Sequence, residues 1–246
     1  CLYTQRNPPM FDLRPHQQEV FGLMRQHSKM LTVAPTSSGK TIMMIADAKH
    51  RFTEGESNQT ILVVAPKLVL CQQLSNEFEK FIDNVNILHI HSGDTQHTRI
   101  TDSLELAYWH EKTEGHKLIF TTYHSLDKIV RAELDIDVVY LNECDNAVNG
   151  VEAISKTAKN FYSLTATPKF SQVASKPGNN NVEVFGSKIH SVKAPELLLN
   201  GSILPPVTAV MEVGSSRDKE TAHERDFYTL CDTIFNEDDM NKVLVV

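Results

Sequence analysis

Residues 30–46 read MLTVAPTSSGKTIMMIA and combine three local patterns. The first five residues, Met30 to Ala34, form a short apolar run of the kind found in buried strands. The last five, Ile42 to Ala46, are apolar and suit a buried helix. A turn from Pro35 to Gly39 joins the two runs. A strand that enters a helix through such a turn is typical of an α/β fold, in which the turn lies at the carboxyl edge of the sheet.

The turn carries the signature of a phosphate-binding loop. Ser38-Gly39-Lys40-Thr41 matches the end of the loop pattern, although Ala34 stands where that pattern begins with glycine. Gly39 lets the backbone approach phosphate oxygens, Lys40 reaches the β and γ phosphates, and the Thr41 hydroxyl can bind Mg²⁺. A chance Gly-Lys-Thr in a turn, the alternative, does not explain the strand before it and the helix after it. We therefore predict a site for ATP and Mg²⁺ that includes Pro35, Thr36, Ser37, Ser38, Gly39, Lys40 and Thr41.

Strand-like runs recur along the first two-thirds of the chain. Each is nearly continuously apolar, as buried parallel strands are when helices cover both faces of a sheet. Helical patterns lie between them; after Pro66, apolar residues recur at three- and four-residue steps from Cys71 to Ile82. This alternation predicts a three-layer α/β sandwich around a mainly parallel sheet. The predicted strands are Met30–Ala34, Ile61–Ala65, Val85–Ile90, Leu118–Thr121, Val138–Leu141 and Tyr162–Thr165.

The composition is that of a globular protein of one or two domains. The chain has 246 residues, of which 41% are apolar and 22% are charged, so disorder, collagen and coiled coil are poor fits. Its four cysteines are far apart, which indicates neither a disulfide framework nor a zinc site and favours a reducing compartment. No apolar run reaches the ~18 residues of a membrane span. We expect a cytoplasmic protein with no membrane partner.

The sequence predicts a domain boundary near Pro206. The extended stretch Leu204-Pro205-Pro206 indicates that residues 1–205 form one domain and residues 206–246 form a linker and the incomplete beginning of another. The net charge of −7 argues at first against a nucleic-acid partner. However, 20 basic and 22 acidic residues precede Pro206, whereas 4 basic and 9 acidic residues follow it. Because the first domain is nearly neutral, that objection largely falls away.

Five further segments accompany the phosphate-binding loop. They are Leu13-Arg14-Pro15-His16-Gln17, Ala65-Pro66-Lys67, His91-Ser92-Gly93, Thr121-Thr122-Tyr123 and Leu164-Thr165-Ala166-Thr167-Pro168. Together and in this order they resemble the motifs of the first RecA-like domain of superfamily 2 helicases (DEAD/DEAH-like). The similarity is greatest to the helicases of tailed phages and to restriction and repair translocases. The resemblance implies a P-loop, RecA-like fold and an ATP-dependent helicase or translocase.

The resemblance also implies a role for each motif. Arg14 and Gln17 would bind the nucleotide, with the glutamine amide hydrogen-bonding adenine, although Pro15 also makes this segment an ordinary helix start. Lys40 and Glu143 would be the catalytic residues. The residues that couple the nucleotide site to the nucleic acid would be Thr165, Ala166 and Thr167. Those that contact the nucleic-acid backbone, with DNA favoured over RNA, would be Pro66, Lys67, Gln73, Gly93, Thr121 and Thr122.

The chain departs from the family at the metal-binding motif. Where the family has Asp-Glu-x-His after an apolar strand, this chain reads Asn142-Glu143-Cys144-Asp145. Glu143 remains to polarise the attacking water. The implied metal ligands are Thr41, Asn142 and Glu143, but the Asn142 amide carries no charge, so Mg²⁺–ATP should be held less well. Two outcomes stay open: retained hydrolysis, with Asp145 in compensation, or an ATP-binding module that hydrolyses slowly.

The resemblance further implies a second RecA-like domain. The chain opens with Cys1 and stops in the strand-like run Lys242 to Val246, so we expect a fragment whose missing half supplies the arginine fingers and the rest of the nucleic-acid channel. A phage-encoded protein of this kind would act in the host cytoplasm. The alternative within the enzyme class is the motor subunit of a restriction system. A small kinase is disfavoured because the sequence lacks an arginine-rich lid segment.

Some histidine and aromatic residues are expected to be structural. His89, His91 and His97 cluster, but no cysteine or carboxylate spacing accompanies them, so we interpret them as solvated loop residues rather than metal ligands. Trp109 lies on a predicted helix and is expected to pack against the core. Tyr123 lies at a strand end, and partial burial is favoured there over base stacking.

Overall fold

The computed structural model describes residues 12–55, 57–146, 150–172 and 178–204. The chain divides into two compact units, residues 1–204 and 205–246, and only the first contains described residues. The predicted linker and the predicted strand from Lys242 to Val246 therefore lie outside the described residues.

A single sheet of eight parallel strands forms the centre of the first unit. In chain order the strands are β1 (Lys29–Val33), β2 (Thr60–Ala65), β3 (Asn86–Ile90), β4 (Thr98–Arg99), β5 (Lys117–Thr122), β6 (Val138–Asn142), β7 (Asn160–Thr165) and β8 (Lys188–Ser191). Their order across the sheet is β4-β3-β5-β2-β6-β7-β1-β8, and every neighbouring pair is parallel. The six strands predicted from apolar runs are all present, within one or two residues at each end. The predicted parallel α/β fold is confirmed.

The sequence does not predict the two edge strands, β4 and β8. Strand β4 has two residues, both exposed, and therefore has no apolar run. Along β8, half-buried and exposed side chains alternate, because β8 has only one neighbour, β1, and a largely open face. Edge position thus removes the continuous apolarity by which the inner strands are recognised.

Helices cover both faces of the sheet, which gives the three layers. They are α1 (Pro15–Gln26), α2 (Lys40–Glu54), α3 (Leu68–Glu79), α4 (Ser103–Lys112), α5 (Leu126–Ala132), α6 (Val151–Thr157), α7 (Val182–Phe185) and α8 (Ala194–Leu199). Strand β2 shows the arrangement. Ile61 and Val63 join a core cluster shared with α1, α2 and α3, whereas Leu62 and Val64 join a second cluster shared with α4, α5 and α6. None of these helices is long and apolar enough to cross a membrane.

The order of the strands determines where the predicted motifs meet. Strands β6, β7 and β1 are neighbours and end at Asn142, Thr165 and Val33, so the loops that follow them share one part of the carboxyl edge. Strands β3, β5 and β2 are neighbours too, and their loops share the adjoining part of the same edge. The predicted nucleotide motifs follow the first group, and most of the predicted nucleic-acid motifs follow the second.

Candidate active site

The phosphate-binding loop between β1 and α2 has a tightly constrained backbone. Ser37 and Gly39 have positive φ angles of 65° and 84°, and the Ser38 N–H donates to the Pro35 carbonyl at 3.2 Å. Gly39 is the residue before α2, and no described side chain caps that helix end. The first amides of α2 are therefore available to an anion, and the helix dipole favours a negative charge there.

A side chain at Gly39 would have to displace the amide of Gln17. A Cβ atom built there would lie 2.3 Å from Nε2 of Gln17 on α1, far inside van der Waals contact. The positive φ angle is a second reason for glycine, since other residues adopt it at a cost of about 1 kcal/mol or more. The backbone approach that phosphate binding requires is thus built into the loop.

Lys40 lies beneath the loop and is held by two oxygen atoms. Its Nζ atom donates to the Ala34 carbonyl at 3.3 Å and lies 3.2 Å from Oε1 of Glu143. The lysine side chain is 8% exposed, and Glu143 is 31% exposed. Burial makes an unpaired ammonium costly, and the carboxylate partner offsets that cost. A phosphate that reaches Lys40 therefore competes with Glu143 for the same cation.

Glu143 follows directly on β6 in a left-handed conformation, with a φ angle of 53°. Such a conformation is unfavourable for a residue with a side chain and persists only where neighbouring contacts enforce it. One of these contacts comes from Tyr123, whose hydroxyl donates to the Asn142 carbonyl at 3.1 Å. Burial raises the pKa of Tyr123 well above its usual range, so this phenol stays a donor. The turn aims the Glu143 side chain at the phosphate-binding loop.

Thr165, at the end of β7, contacts both acidic residues of the 142–145 motif. Its Oγ1 atom lies 3.1 Å from Oδ1 of Asp145 and 3.5 Å from Oε2 of Glu143. The same oxygen accepts a hydrogen bond from the Thr167 N–H at 3.2 Å. Asp145, which stands where the family has histidine, therefore serves as the acceptor for Thr165, and it also faces Lys169 Nζ at 3.8 Å.

A cleft of about 480 Å³ lies above the loop. Its lining comes from the phosphate-binding loop and the start of α2, from α3 and from the end of β6. Its lining residues are Thr36, Ser37, Gly39, Lys40, Thr41, Leu70, Gln73, Leu74, Glu77, Asn142 and Glu143. Seven of the predicted nucleotide and metal residues are thus brought together. The cleft also contains Gln73, which the resemblance assigns to the nucleic acid.

The oxygen donors of the cleft fit Mg²⁺. The Thr41 hydroxyl, the Asn142 amide and the Glu143 carboxylate are all ligand types that this hard cation accepts, directly or through its waters. They carry one formal negative charge between them, and that charge also balances Lys40. The arrangement therefore suits a magnesium ion that arrives with a polyphosphate better than a magnesium ion alone.

The N-terminal motif supports the loop from behind. Gln17 is 4% exposed; its Oε1 accepts from the Arg14 N–H at 3.0 Å and its Nε2 donates to the Ser38 carbonyl at 3.1 Å. His16 Nε2 donates to the same carbonyl at 2.8 Å. The guanidinium of Arg14 donates to the Ser202 carbonyl at 2.5 Å. Sequence reasoning missed His16, whose one signal was its place beside Gln17 in the first turn of α1.

Comparison with known proteins identifies the family. A family model described as the res subunit of type III restriction enzymes matches residues 10–170. This chain belongs to that family. A search of curated proteins gave no significant match.

Solved structures show the same fold as this Res-family chain. The nuclease-deletion mutant of the type ISP restriction-modification enzyme LlaGI, solved with a DNA substrate mimic, has a TM-score of 0.63 at 14% identity over 92% of this chain. The Hef helicase domain of Pyrococcus furiosus has a TM-score of 0.56 at 18% identity over 73% of this chain. A DEAD box protein of Methanococcus jannaschii has a TM-score of 0.55 at 19% identity over 90% of this chain. This chain covers 23%, 38% and 57% of those three chains. The predicted RecA-like fold is confirmed, and the Res-family match agrees with the predicted resemblance to superfamily 2 helicases.

The structure groups the predicted nucleic-acid residues of this Res-family chain only in part. Gly93 lies beside Leu68, the first residue of α3, which follows Pro66 and Lys67: a Cβ at Gly93 would lie 3.3 Å from the Leu68 side chain. Lys67 is exposed at the start of α3. Thr121 and Thr122 are buried at the end of β5, and the Thr121 hydroxyl donates to the Ile90 carbonyl at 2.8 Å, within the sheet.

The interpretation of the histidine cluster as solvated is wrong for His89 and His91, which are buried. His91 Nδ1 accepts from the Gly93 N–H at 3.2 Å, so its Nε2 carries the proton and donates to His89 Nδ1 at 2.9 Å. His89 Nε2 then donates to Ser75 Oγ at 3.0 Å, and that hydroxyl donates to Glu79 at 3.1 Å. Burial lowers the pKa of His89 to about 3.

Cys71 joins this cluster, which the linear spacing did not reveal. Its sulfur lies within 4.8 Å of ring nitrogens of His89 and His91. Both nitrogens of each ring already take part in the chain of hydrogen bonds, and burial raises the pKa of the thiol to about 12. As the residues lie in this structure, the cluster is a satisfied polar core. The other two predictions of this kind are confirmed: Trp109 packs against the core, and Tyr123 is buried.

Proposed function

We propose that this chain is the ATP-hydrolysing motor domain of a nucleic-acid helicase or translocase that acts on DNA. The observation that carries the proposal is the convergence of Lys40, Glu143 and Thr165 at the ends of three neighbouring strands. These three side chains supply a phosphate-binding cation, a carboxylate for the attacking water and a hydroxyl in contact with that carboxylate. Because the chain spans only 23% of LlaGI, the activity of the whole protein remains part of the proposal.

The phosphates bind first through the loop. The free amides at the start of α2 and the Lys40 ammonium would hold the β and γ phosphates, and Thr41, Asn142 and Glu143 would hold Mg²⁺, directly or through its waters. The metal, when bound, neutralises charge on the phosphates. As the γ phosphate takes Lys40, the Glu143 carboxylate is released from its ion pair and can accept a hydrogen bond from the attacking water.

Thr165 transmits the change at Glu143. Its hydroxyl has two acceptors within reach, Asp145 Oδ1 and Glu143 Oε2, and its own oxygen is tied to the Thr167 N–H. A displacement of Glu143 therefore alters the hydrogen bonding of the segment Thr165-Ala166-Thr167. That segment leads away from β7 and is the proposed route by which the nucleotide state reaches the nucleic acid.

The nucleic acid is proposed to cross the loops after β2, β3 and β5. Lys67 supplies an exposed positive charge, and the half-buried residues Pro66 and Gly93 are proposed to contact the strand beside it. Thr122 and Gln73 complete the proposed set, whereas Thr121 is fully buried between β2 and β3, with its hydroxyl bonded to the Ile90 carbonyl, and is left out of it. Contacts of this kind hold phosphates and read no sequence. The other contacts to the nucleic acid are assigned, as part of the proposal, to a second RecA-like domain in the same protein. The proposed site of action is the cytoplasm.

A second candidate is a nucleotide-gated binding module that hydrolyses ATP slowly. Asn142 is the observation that favours it, because an amide in the place of the metal-binding aspartate removes a charge from the site. A motor subunit of a restriction system is a narrower form of the first proposal, and membership of the Res family favours it. The two candidates differ in turnover, not in nucleotide binding.

The test is ATP hydrolysis by the full-length protein with DNA, with RNA and with neither. The first proposal expects hydrolysis that DNA stimulates and that Lys40→Ala abolishes. Lys112→Ala is the matched control, since Lys112 is an exposed lysine on α4. Unchanged hydrolysis in Lys40→Ala would reject the site. ATP binding without hydrolysis, lost in Lys40→Ala, would select the binding module instead.

A further inference from the structure

Two consecutive asparagines bind the segment that follows the Thr165-Ala166-Thr167 motif. The Asn179 N–H donates to the Lys169 carbonyl at 2.7 Å, and Asn179 Oδ1 accepts from the Lys169 N–H at 2.8 Å. Asn180 repeats the pattern: its Oδ1 accepts from the Ser171 N–H at 2.9 Å and its Nδ2 donates to the Ser171 carbonyl at 2.8 Å. Four hydrogen bonds therefore fix residues 169–171 against residues 178–180.

The contact is close enough to require glycine before the two asparagines. A Cβ at Gly178 would lie 2.4 Å from the Lys169 carbonyl oxygen and 2.7 Å from the Ser171 nitrogen. Both atoms belong to the backbone and cannot rotate away. The sequence Gly178-Asn179-Asn180 is thus matched to this docking, although as a sequence it indicates only a loop.

Asn179 differs from Asn180 in a third contact. Its Nδ2 atom donates to the Cys144 carbonyl at 3.1 Å and lies 3.5 Å from the Cys144 sulfur. Asn179 is 4% exposed and Cys144 is fully buried, so these are interior hydrogen bonds. Cys144 follows Glu143, the residue whose left-handed backbone aims its carboxylate at the phosphate-binding loop. One buried amide therefore joins the Glu143 turn to the segment after Thr167.

We propose that Asn179 is a positioning residue that holds the Glu143 turn in its hydrolytic geometry and couples it to residues 169–171. The proposal rests on the proposed function, in which Glu143 acts on water. Its physical basis is that the strained turn at Glu143 needs contacts from outside to hold it. Tyr123 bonds to Asn142, the residue before Glu143, and Asn179 bonds to Cys144, the residue after it. Asn179 is not among the residues that line the cleft, so we expect ATP binding not to depend on it.

The experiment compares three variants of the full-length protein. Asn179→Asp keeps the acceptor for the Lys169 N–H but replaces the donor to Cys144 by a carboxylate oxygen. Asn179→Ala removes both contacts without adding charge. Asn180→Ala is the matched control, because it removes the bonds to Ser171 and leaves Cys144 untouched. Steady-state hydrolysis gives kcat and KM for ATP, and mass spectrometry follows the modification of Cys144 by a thiol reagent.

We expect kcat to fall about tenfold or more in both Asn179 variants, with KM for ATP within about twofold. Cys144 should become modified about tenfold faster in these variants, and Asn180→Ala should change neither quantity. Normal kcat and normal Cys144 protection in Asn179→Asp would overturn the proposal. So would loss of ATP binding in both Asn179 variants with Asn180→Ala intact, which would assign Asn179 to folding alone. If the unaltered protein does not hydrolyse ATP, the proposed function fails, and Cys144 modification still tests the contact.

Discussion

Lys40 Nζ lies 3.2 Å from Glu143 Oε1, so the phosphate-binding cation and the water-activating carboxylate of the proposed site hold each other. Neither group is fully exposed, and the pair joins the loop after β1 to the turn after β6 across β7. On the proposed function, a phosphate that binds at Lys40 competes with Glu143 for the ammonium. We therefore expect the ion pair to link occupancy of the phosphate site to the position of Glu143.

Replacement of Glu143 should separate binding from hydrolysis. In Glu143→Gln the hydrolysis rate of the full-length protein should fall about 100-fold or more, because an amide cannot act as the base. ATP affinity should stay equal or rise, since Lys40 no longer has a carboxylate competitor. Stopped-time hydrolysis and fluorescent-nucleotide titration measure the two quantities. Glu152→Gln on the exposed face of α6 is the control, and a normal hydrolysis rate in Glu143→Gln would contradict the assignment.

Asn142→Asp should strengthen metal binding. The new carboxylate adds a charge to the oxygen donors of the cleft, so the Mg²⁺ concentration for half-maximal ATP hydrolysis or binding should fall about threefold or more. A Mg²⁺ titration at fixed ATP gives this value. The control is Asn76→Asp on the exposed face of α3. Asn146→Asp is less suitable, because Asn146 lies in the turn that follows Asn142. An unchanged Mg²⁺ requirement would remove Asn142 from the metal site.

Thr165→Val should weaken the coupling between the two sites. The variant keeps the shape of the side chain but removes the hydroxyl shared by Asp145, Glu143 and Thr167. Stimulation of hydrolysis by DNA should fall about tenfold while ATP affinity changes little, and stability should fall by about 1 kcal/mol. Thr165→Ser retains the hydroxyl and should restore stimulation. Full stimulation in Thr165→Val would show that the coupling runs elsewhere.

Gly39→Ala should weaken nucleotide binding. The new Cβ would meet Gln17 Nε2 at 2.3 Å, and the φ angle of 84° is unfavourable for alanine. We expect a loss of about 1–2 kcal/mol in stability and at least tenfold in ATP affinity. Gly22→Ala is a matched control with the opposite sign: no atom lies within 4 Å of its added Cβ, and alanine inside α1 should stabilise by about 0.5–1 kcal/mol.

Stability should decrease as pH is lowered, because of the buried histidine pair. His89 titrates near 3 in the folded protein, against an ordinary value of 6.5, because of burial and then of the nearby His91 and His97. Below pH 6.5 the unfolded chain therefore binds a proton that the folded chain refuses. This contribution is complete above pH 6.5 and is lost as pH falls toward 3, by up to about 1.4 kcal/mol per pH unit.

His89→Gln should flatten this dependence. Glutamine does not titrate and can still donate to Ser75, so the difference in unfolding free energy between pH 7 and pH 5 should shrink by about 1 kcal/mol or more. Urea unfolding followed by circular dichroism at both pH values measures it. His124→Gln, at an exposed histidine, serves as the control. An equal pH dependence in His89→Gln and the unaltered protein would be inconsistent with a proton-excluding core.

The inner strands and the phosphate-binding loop could be predicted because their signals are local. Each inner strand is buried on both faces and so reads as an apolar run, and the Ser38-Gly39-Lys40-Thr41 segment specifies its own turn. The edge strand β8 could not be predicted, because exposure removes its apolar signal. The burial of His89 and His91 was missed for a related reason: their partners Ser75 and Glu79 belong to another element.

By itself, the sequence determined the class of fold, the order of the motifs and the family, because periodicity and motif spacing are properties of neighbouring residues. Only the tertiary structure decided which side chains meet. Lys40 meets Glu143, Thr165 meets Asp145, and Asn179 meets Cys144, each pair contributed by segments far apart in the chain. Such pairings follow from the order of strands across the sheet, which is selected by the packing of the whole domain rather than by any local pattern.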